Sequence, residues 1–236
     1  MLIYGKNTAM EAIKTKKPIS KIYLSSDLAD DKLVQMAKNT KAEVVFMPRA
    51  KMNAKFNGNH QGIAIEVCDY EYQNLNDVIK KCENKDAVIA VLDGLEDPHN
   101  LGAILRSADA TNVDAIIIPK NRSVSLNSTV AKVSTGAIEH VDVVQVTNLA
   151  MTLKDLKKRG YWVIGLELDG SVDYRKQDYS GKIVVVIGSE GKGISRIVKE
   201  ECDFCVNIPM YGHVNSLNAS VSAAILFYEI LRNRGK

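Results

Sequence analysis

Three segments of the chain share one pattern, in which an apolar strand runs into a Gly- or Asn-rich turn and then into a helix. They are LDGLEDPHNLGAILRSADA (92–110), IVVVIGSEGKGIS (183–195) and NIPMYGHVNSLNASVSAAILFYE (207–229). Open α/β sheets bind ligands in the crevice at the carboxyl ends of their strands, so three such turns converge on one shared site. From Asp86 onward, strand and helix alternate. Continuous Val- and Ile-rich runs at 88–92, 115–119, 141–146, 162–168, 183–187 and 205–209 predict strands of a parallel sheet covered on both faces. Helices are expected over 101–111, 149–158, 195–201 and 217–232.

The first third differs. Strands are expected at 19–25, 43–47 and 62–67, and helices at 7–17 and 31–40, with Asn7 or Thr8 capping the first helix. That makes a small α/β module. Residues 68–74 (CDYEYQN) break the pattern and form the candidate linker, followed by a short amphipathic helix at 75–82. The expected division is a substrate-binding domain over 1–68, a linker and lead-in helix over 69–84, and a main domain over 85–236. Charge follows the same division. Residues 1–68 hold 11 Lys and Arg against 6 Asp and Glu, whereas 69–236 hold 20 against 22. A basic module on a near-neutral domain fits polyanion binding; a scattered solvated surface is the alternative.

Composition narrows the class. At 46% hydrophobic and 25% charged residues the chain reads as globular. No apolar run approaches the ~18 residues of a membrane helix, and the N-terminus has no secretory pattern. Four cysteines in 236 residues do not make a disulfide scaffold, so a reducing, cytoplasmic setting is expected.

Each turn has a functional and a structural reading. Gly188–Gly193 (GSEGKG) lacks the spacing of a P-loop and the third glycine of a dinucleotide fingerprint. Glu190 within it would repel a phosphate but tolerate a phosphate-free adenosine; a plain flexible turn is the alternative. In the first segment Asn100 stands at the expected helix start, where it can cap, and Gly102 permits close approach. Arg106 follows one turn later on a mostly apolar helix, where a lone cation calls for an anionic partner. In the third, Asn215 or Ser216 is the expected cap of the last helix, and Leu217, Val221, Ala224, Ile225, Tyr228 and Leu231 form an apolar stripe. Cys202 and Cys205 have no second pair at metal-ligand spacing and read as packing residues, and no metal is expected. His60 and His213 fall in expected loops, solvated or touching RNA.

Together, in order, the three segments resemble motifs one to three of the SpoU-type (SPOUT) RNA ribose 2'-O-methyltransferases. IYGKNTAMEAI and HQGIAIEV resemble the small substrate-binding domain that precedes the catalytic domain in many members. The likeness is greatest to bacterial enzymes that methylate guanosine in large-subunit ribosomal RNA. The resemblance implies a catalytic α/β domain with a mostly parallel sheet and a deep trefoil knot, preceded by a small α/β domain like a ribosomal protein. It implies S-adenosylmethionine as cofactor, RNA as partner, a homodimer with sites completed across the interface, and no membrane or metal. By position, Gly136, Gly188, Ile208 and Leu217 would contact the cofactor. Arg106, Asn100, Glu190, Ser216 and Asn218 would be catalytic. Arg106 would clamp the nascent alkoxide or a phosphate, Asn100 would position Arg106 or the ribose, and Glu190 would orient partners. A transfer-RNA methyltransferase and a non-catalytic RNA-binding assembly factor are the competing functions.

Overall fold

The structure, a computed structural model, describes residues 2–15, 19–40, 42–56, 58–67, 70–168 and 171–235, apart from the side chains of Ser20 and Ser128. Cys68, at the expected domain boundary, lies outside the described residues. The chain divides into two compact units, Met1–Glu71 and Tyr72–Lys236.

The first unit holds β1 (Leu2–Tyr4), α1 (Lys6–Lys14), β2 (Ile19–Ser25), α2 (Asp31–Lys38), β3 (Glu43–Met47), α3 (Arg49–Lys55) and β4 (Ile63–Val67). Its sheet runs β1-β4-β2-β3, with β4 antiparallel to both neighbours and β2 parallel to β3. Ile22, Leu24, Ile63 and Ile65 alternate inward and pack on Ala9, Leu33 and Ala37 of α1 and α2. Gly5 precedes α1 without a side-chain bond, so neither Asn7 nor Thr8 caps it. β1 and α3 are unforeseen additions; only Met52 of α3 is buried, which leaves no stripe to detect. His60 is buried rather than solvated. Its Nδ1 accepts from Gly62 N at 3.0 Å and its Nε2 meets Asn53 Oδ1 at 2.8 Å, pinning the turn before β4.

The second unit contains α4 (Leu75–Lys81), β5 (Val88–Asp93), α5 (Pro98–Ala110), β6 (Ala115–Pro119), α6 (Ser128–Ser134), β7 (Asp142–Val146), α7 (Leu149–Lys158), β8 (Trp162–Leu166), β9 (Val172–Asp173), β10 (Ile183–Gly188), α8 (Arg196–Lys199), β11 (Phe204–Asn207) and α9 (Ala219–Asn233). Seven strands form one sheet in the order β7-β6-β5-β10-β8-β11-β9, and all six pairings are parallel. The central strands are buried almost throughout, as their unbroken Val and Ile runs require. Late strand β10 lies between β5 and β8, with Gly188 level with Asp93. The chain thus reverses direction across the sheet at the carboxyl ends of β5 and β10, the kind of crevice in which α/β proteins bind ligands.

Two caps differ from the sequence expectation. α5 begins at Pro98, the favoured first position for proline, and Asp97 caps it by accepting from His99 N at 2.8 Å. Asn100 is therefore free for another task. α9 begins at Ala219, capped by Asn218 rather than Asn215 or Ser216, whose Oδ1 accepts from Ser220 N at 2.9 Å and Val221 N at 3.3 Å. α5 packs closely on α6 because Gly102 has no side chain: a Cβ there would sit 2.6 Å from Val133 Cβ.

Candidate active site

The ends of β8, β10 and β11 and the start of α9 enclose a cavity of about 490 Å³. That volume suits a small ligand. Gly188, Glu190, Ile208, Ser216 and Leu217, all expected at the site, line it. Gly188 is compelled by the fold, since a Cβ there would come within 2.1 Å of the Gly193 carbonyl carbon. The turn beyond it closes on itself through paired backbone bonds between Ser189 and Gly193 at 3.0 and 3.1 Å. It therefore folds back over the strand end, and the Glu190 carboxylate is left at the cavity wall.

That carboxylate joins all three motifs. Glu190 Oε1 accepts from Asn100 Nδ2 at 3.0 Å, from Asn218 Nδ2 at 2.6 Å and from Ala219 N at 3.3 Å. Asn218 Nδ2 also donates to Asn100 Oδ1 at 2.9 Å. Asn100 is only 7% exposed, and both ends of its amide are satisfied within this triangle. Asn218 is fully committed as well, with its oxygen on the helix N–H groups and its nitrogen on the triangle. These two asparagines hold Glu190 and the start of α9 in place.

Two expected residues stand apart. Arg106 is exposed on α5 and does not line the cavity; among the described residues no carboxylate lies within ion-pair distance of it. Asn100 does not touch it. Gly136 follows α6 with a positive φ of 101°, outside the cavity lining.

Two carboxylates at the site were not among the expected residues. Asp93 Oδ2 accepts from Ser195 N at 2.7 Å, tying the first motif to the end of the second. Glu167, in the cavity wall, accepts from Ile194 N at 2.7 Å and pairs with Lys199 at 3.2 Å. Each directly follows an apolar strand core, and an acidic residue at that place was the available signal.

The cavity suits a phosphate-free nucleoside. Glu190 in its wall would oppose a phosphate, while Ile187, Ile208 and Leu217 offer apolar surface. Cys202 and Cys205 lie against Gly165 of β8. Burial and then the neighbouring Cys205 push the Cys202 thiol up to about 12. Among the described residues, no three His, Cys, Asp or Glu side chains cluster as a metal site, and no helix is long and apolar enough to cross a membrane.

Comparison with known proteins gives the same direction. Residues 87–228 match the SpoU rRNA Methylase family, and residues 2–73 match a domain described as RNA 2'-O ribose methyltransferase substrate binding. A Staphylococcus aureus protein assigned to the TrmH family of tRNA/rRNA methyltransferases is 48% identical over 99% of this chain and 96% of its own length. The AdoMet-bound rRNA methyltransferase of Sinorhizobium meliloti superposes with a TM-score of 0.77 at 21% identity, covering 98% of this chain and 86% of that one. The SpoU methyltransferase AviRb of Streptomyces viridochromogenes, solved with AdoMet, gives 0.75 at 22% identity over 99% and 90%. These two structures share the fold, from the small α/β unit to the seven-stranded sheet. The family match spans most of the chain and takes in all three motifs, so this protein belongs to the SpoU rRNA methylase family and is an RNA methyltransferase.

Proposed function

We propose that the protein methylates a ribose 2'-hydroxyl in RNA, a guanosine of large-subunit ribosomal RNA, with S-adenosylmethionine as donor. The observation that carries this is the Asn100–Glu190–Asn218 triangle, in which residues of the first and third motifs bond to Glu190 of the second at the wall of a cavity without a phosphate cradle. Gly188, Ile208 and Leu217, which line the cavity, would hold the donor, whereas Gly136 lies outside that lining. When bound, S-adenosylmethionine supplies a methyl group activated by a sulfonium. The Glu190 carboxylate at the wall is of opposite sign to that cation. Ser216 offers its hydroxyl at the same wall, where it can orient the incoming sugar.

Arg106 is the counter-charge for the reacting oxygen. A guanidinium stays protonated in proteins, so it stabilises the developing alkoxide or a neighbouring phosphate, and the proton leaves to phosphate or water. Its exposure on α5, without a partner among the described residues, supports a site completed by a second copy of the chain. So does α9, whose Val221 (46% exposed) and Tyr228 (54% exposed) leave an apolar strip uncovered. A trefoil knot in the C-terminal segment belongs to the same proposal; the interleaving of β10 and β11 with β8 supports it.

Methyl-labelled S-adenosylmethionine and unmodified transcripts test the assignment. The expected result is label in large-subunit ribosomal RNA and none in a transfer-RNA pool. Label confined to transfer RNA would overturn the ribosomal assignment, and no label in either would overturn the function.

A further inference from the structure

Tyr211 is 91% exposed. It belongs to the loop between β11 and α9. Met210 on one side of it, and Asn215 and Ser216 on the other, line the cavity, so Tyr211 sits on a loop that borders it. An aromatic ring left in water at the rim of a reaction site is a surface awaiting a flat, apolar partner.

Charged groups stand near the hydroxyl end of Tyr211. Arg175 grips Asp173 with two parallel bonds, Nε to Oδ1 at 2.9 Å and Nη2 to Oδ2 at 2.5 Å. The hydrogen bonds from Arg175 hold the Asp173 carboxyl down at about 2. The guanidinium lies 5.8 Å from the Tyr174 ring centre, and the Tyr211 hydroxyl faces it as well. The Tyr211 side chain stays in solvent.

Sequence-specific RNA recognition targets single-stranded loops, bulges and ends, whose bases can be splayed from the stack of their neighbours. Proteins that read single nucleotides replace the lost stacking with aromatic side chains. We propose that Tyr211 is the stacking platform for the nucleobase of the nucleotide being methylated. The proposal rests on RNA being the methyl acceptor. Its ligand class is a purine or pyrimidine base, recognised by its face rather than by its hydrogen-bonding edge.

The test uses the full-length protein, S-adenosylmethionine and whichever unmodified transcript the wild type methylates, with Tyr211→Ala, Tyr211→Phe and Tyr211→Trp. Stacking strengths predict a loss of roughly 10-fold or more in kcat/KM for RNA with Tyr211→Ala, while the Phe and Trp variants stay within about 3-fold. The Kd for S-adenosylmethionine, measured by calorimetry, should be unchanged in all three. On a transcript made abasic at the methylated position, wild type and Tyr211→Ala should become equal. Wild-type kcat/KM in Tyr211→Ala, a Phe variant as weak as the Ala variant, or an Ala deficit that persists on the abasic RNA would each overturn the proposal. A wild type that transfers no methyl to any RNA would instead overturn the functional assignment beneath it.

Discussion

At Glu190 one carboxylate oxygen gathers N–H groups from Asn100, Asn218 and Ala219. Removing that acceptor would strand the amide of Asn100, which is nearly buried. An unsatisfied buried polar group costs about 1–3 kcal/mol, so Glu190→Ala should lower unfolding free energy by that order in urea titrations. Glu190→Gln keeps an acceptor oxygen and should cost less than half as much; equal losses would show that the triangle does not hold the site. Cys202 makes a prediction of different sign. Its thiol is raised to about 12 in the fold, by burial first. Stability from the neutral thiol is fully present below the unfolded value of ~8.5 and is lost as pH climbs toward the folded one. Wild type should therefore lose Tm more steeply than Cys202→Ala between about pH 8.5 and 11. Parallel Tm curves would refute the assignment. Residue-level legibility was uneven. Asn100, Glu190 and Asn218 were singled out by the resemblance of their segments to family motifs. Their mutual bonding was not, since it spans 118 residues of sequence. The partner of Arg106 was not legible either, because the described chain does not supply it.

Secondary elements show where sequence patterns carry information. β5, β6 and β10 were legible because they are buried on both faces and need uninterrupted Val and Ile. α6, with the sequence STVAKVS, is too short and polar to display a stripe, and two-residue β9 leaves no pattern at all. α9 was foreseen, but Ala219, Ala223, Leu226, Phe227 and Ile230 are its buried apolar residues, beside buried Glu229, whereas the expected stripe holds the exposed Val221 and Tyr228. Both faces of the helix are apolar, so periodicity could not rank them. The contact between α5 and α6 yields a sharp test. Helix propensity alone would make Gly102→Ala stabilising by about 1 kcal/mol. Overpacking against Val133, 2.6 Å from the added carbon, should instead destabilise by about 1–3 kcal/mol in chemical denaturation. A stabilised variant would mean that the two helices separate freely.

At the scale of the whole molecule, the proposed dimer would bring a second copy of the chain to the uncovered strip of α9 and to the exposed Arg106. Val221→Glu combined with Tyr228→Glu places charge in that strip. Light scattering should then give the chain mass of 26.0 kDa, where the wild type gives twice that value. A wild type that is already monomeric would remove the shared site. The central claim concerns the acceptor atom. Methylation at a ribose 2'-oxygen protects the adjoining phosphodiester from alkali, because the neighbouring hydroxyl that attacks it has been consumed. Labelled RNA from the wild-type reaction should therefore be hydrolysed in alkali and its products separated by size. The account predicts label in alkali-resistant dinucleotides; label in mononucleotides, the mark of a methylated base, would contradict it.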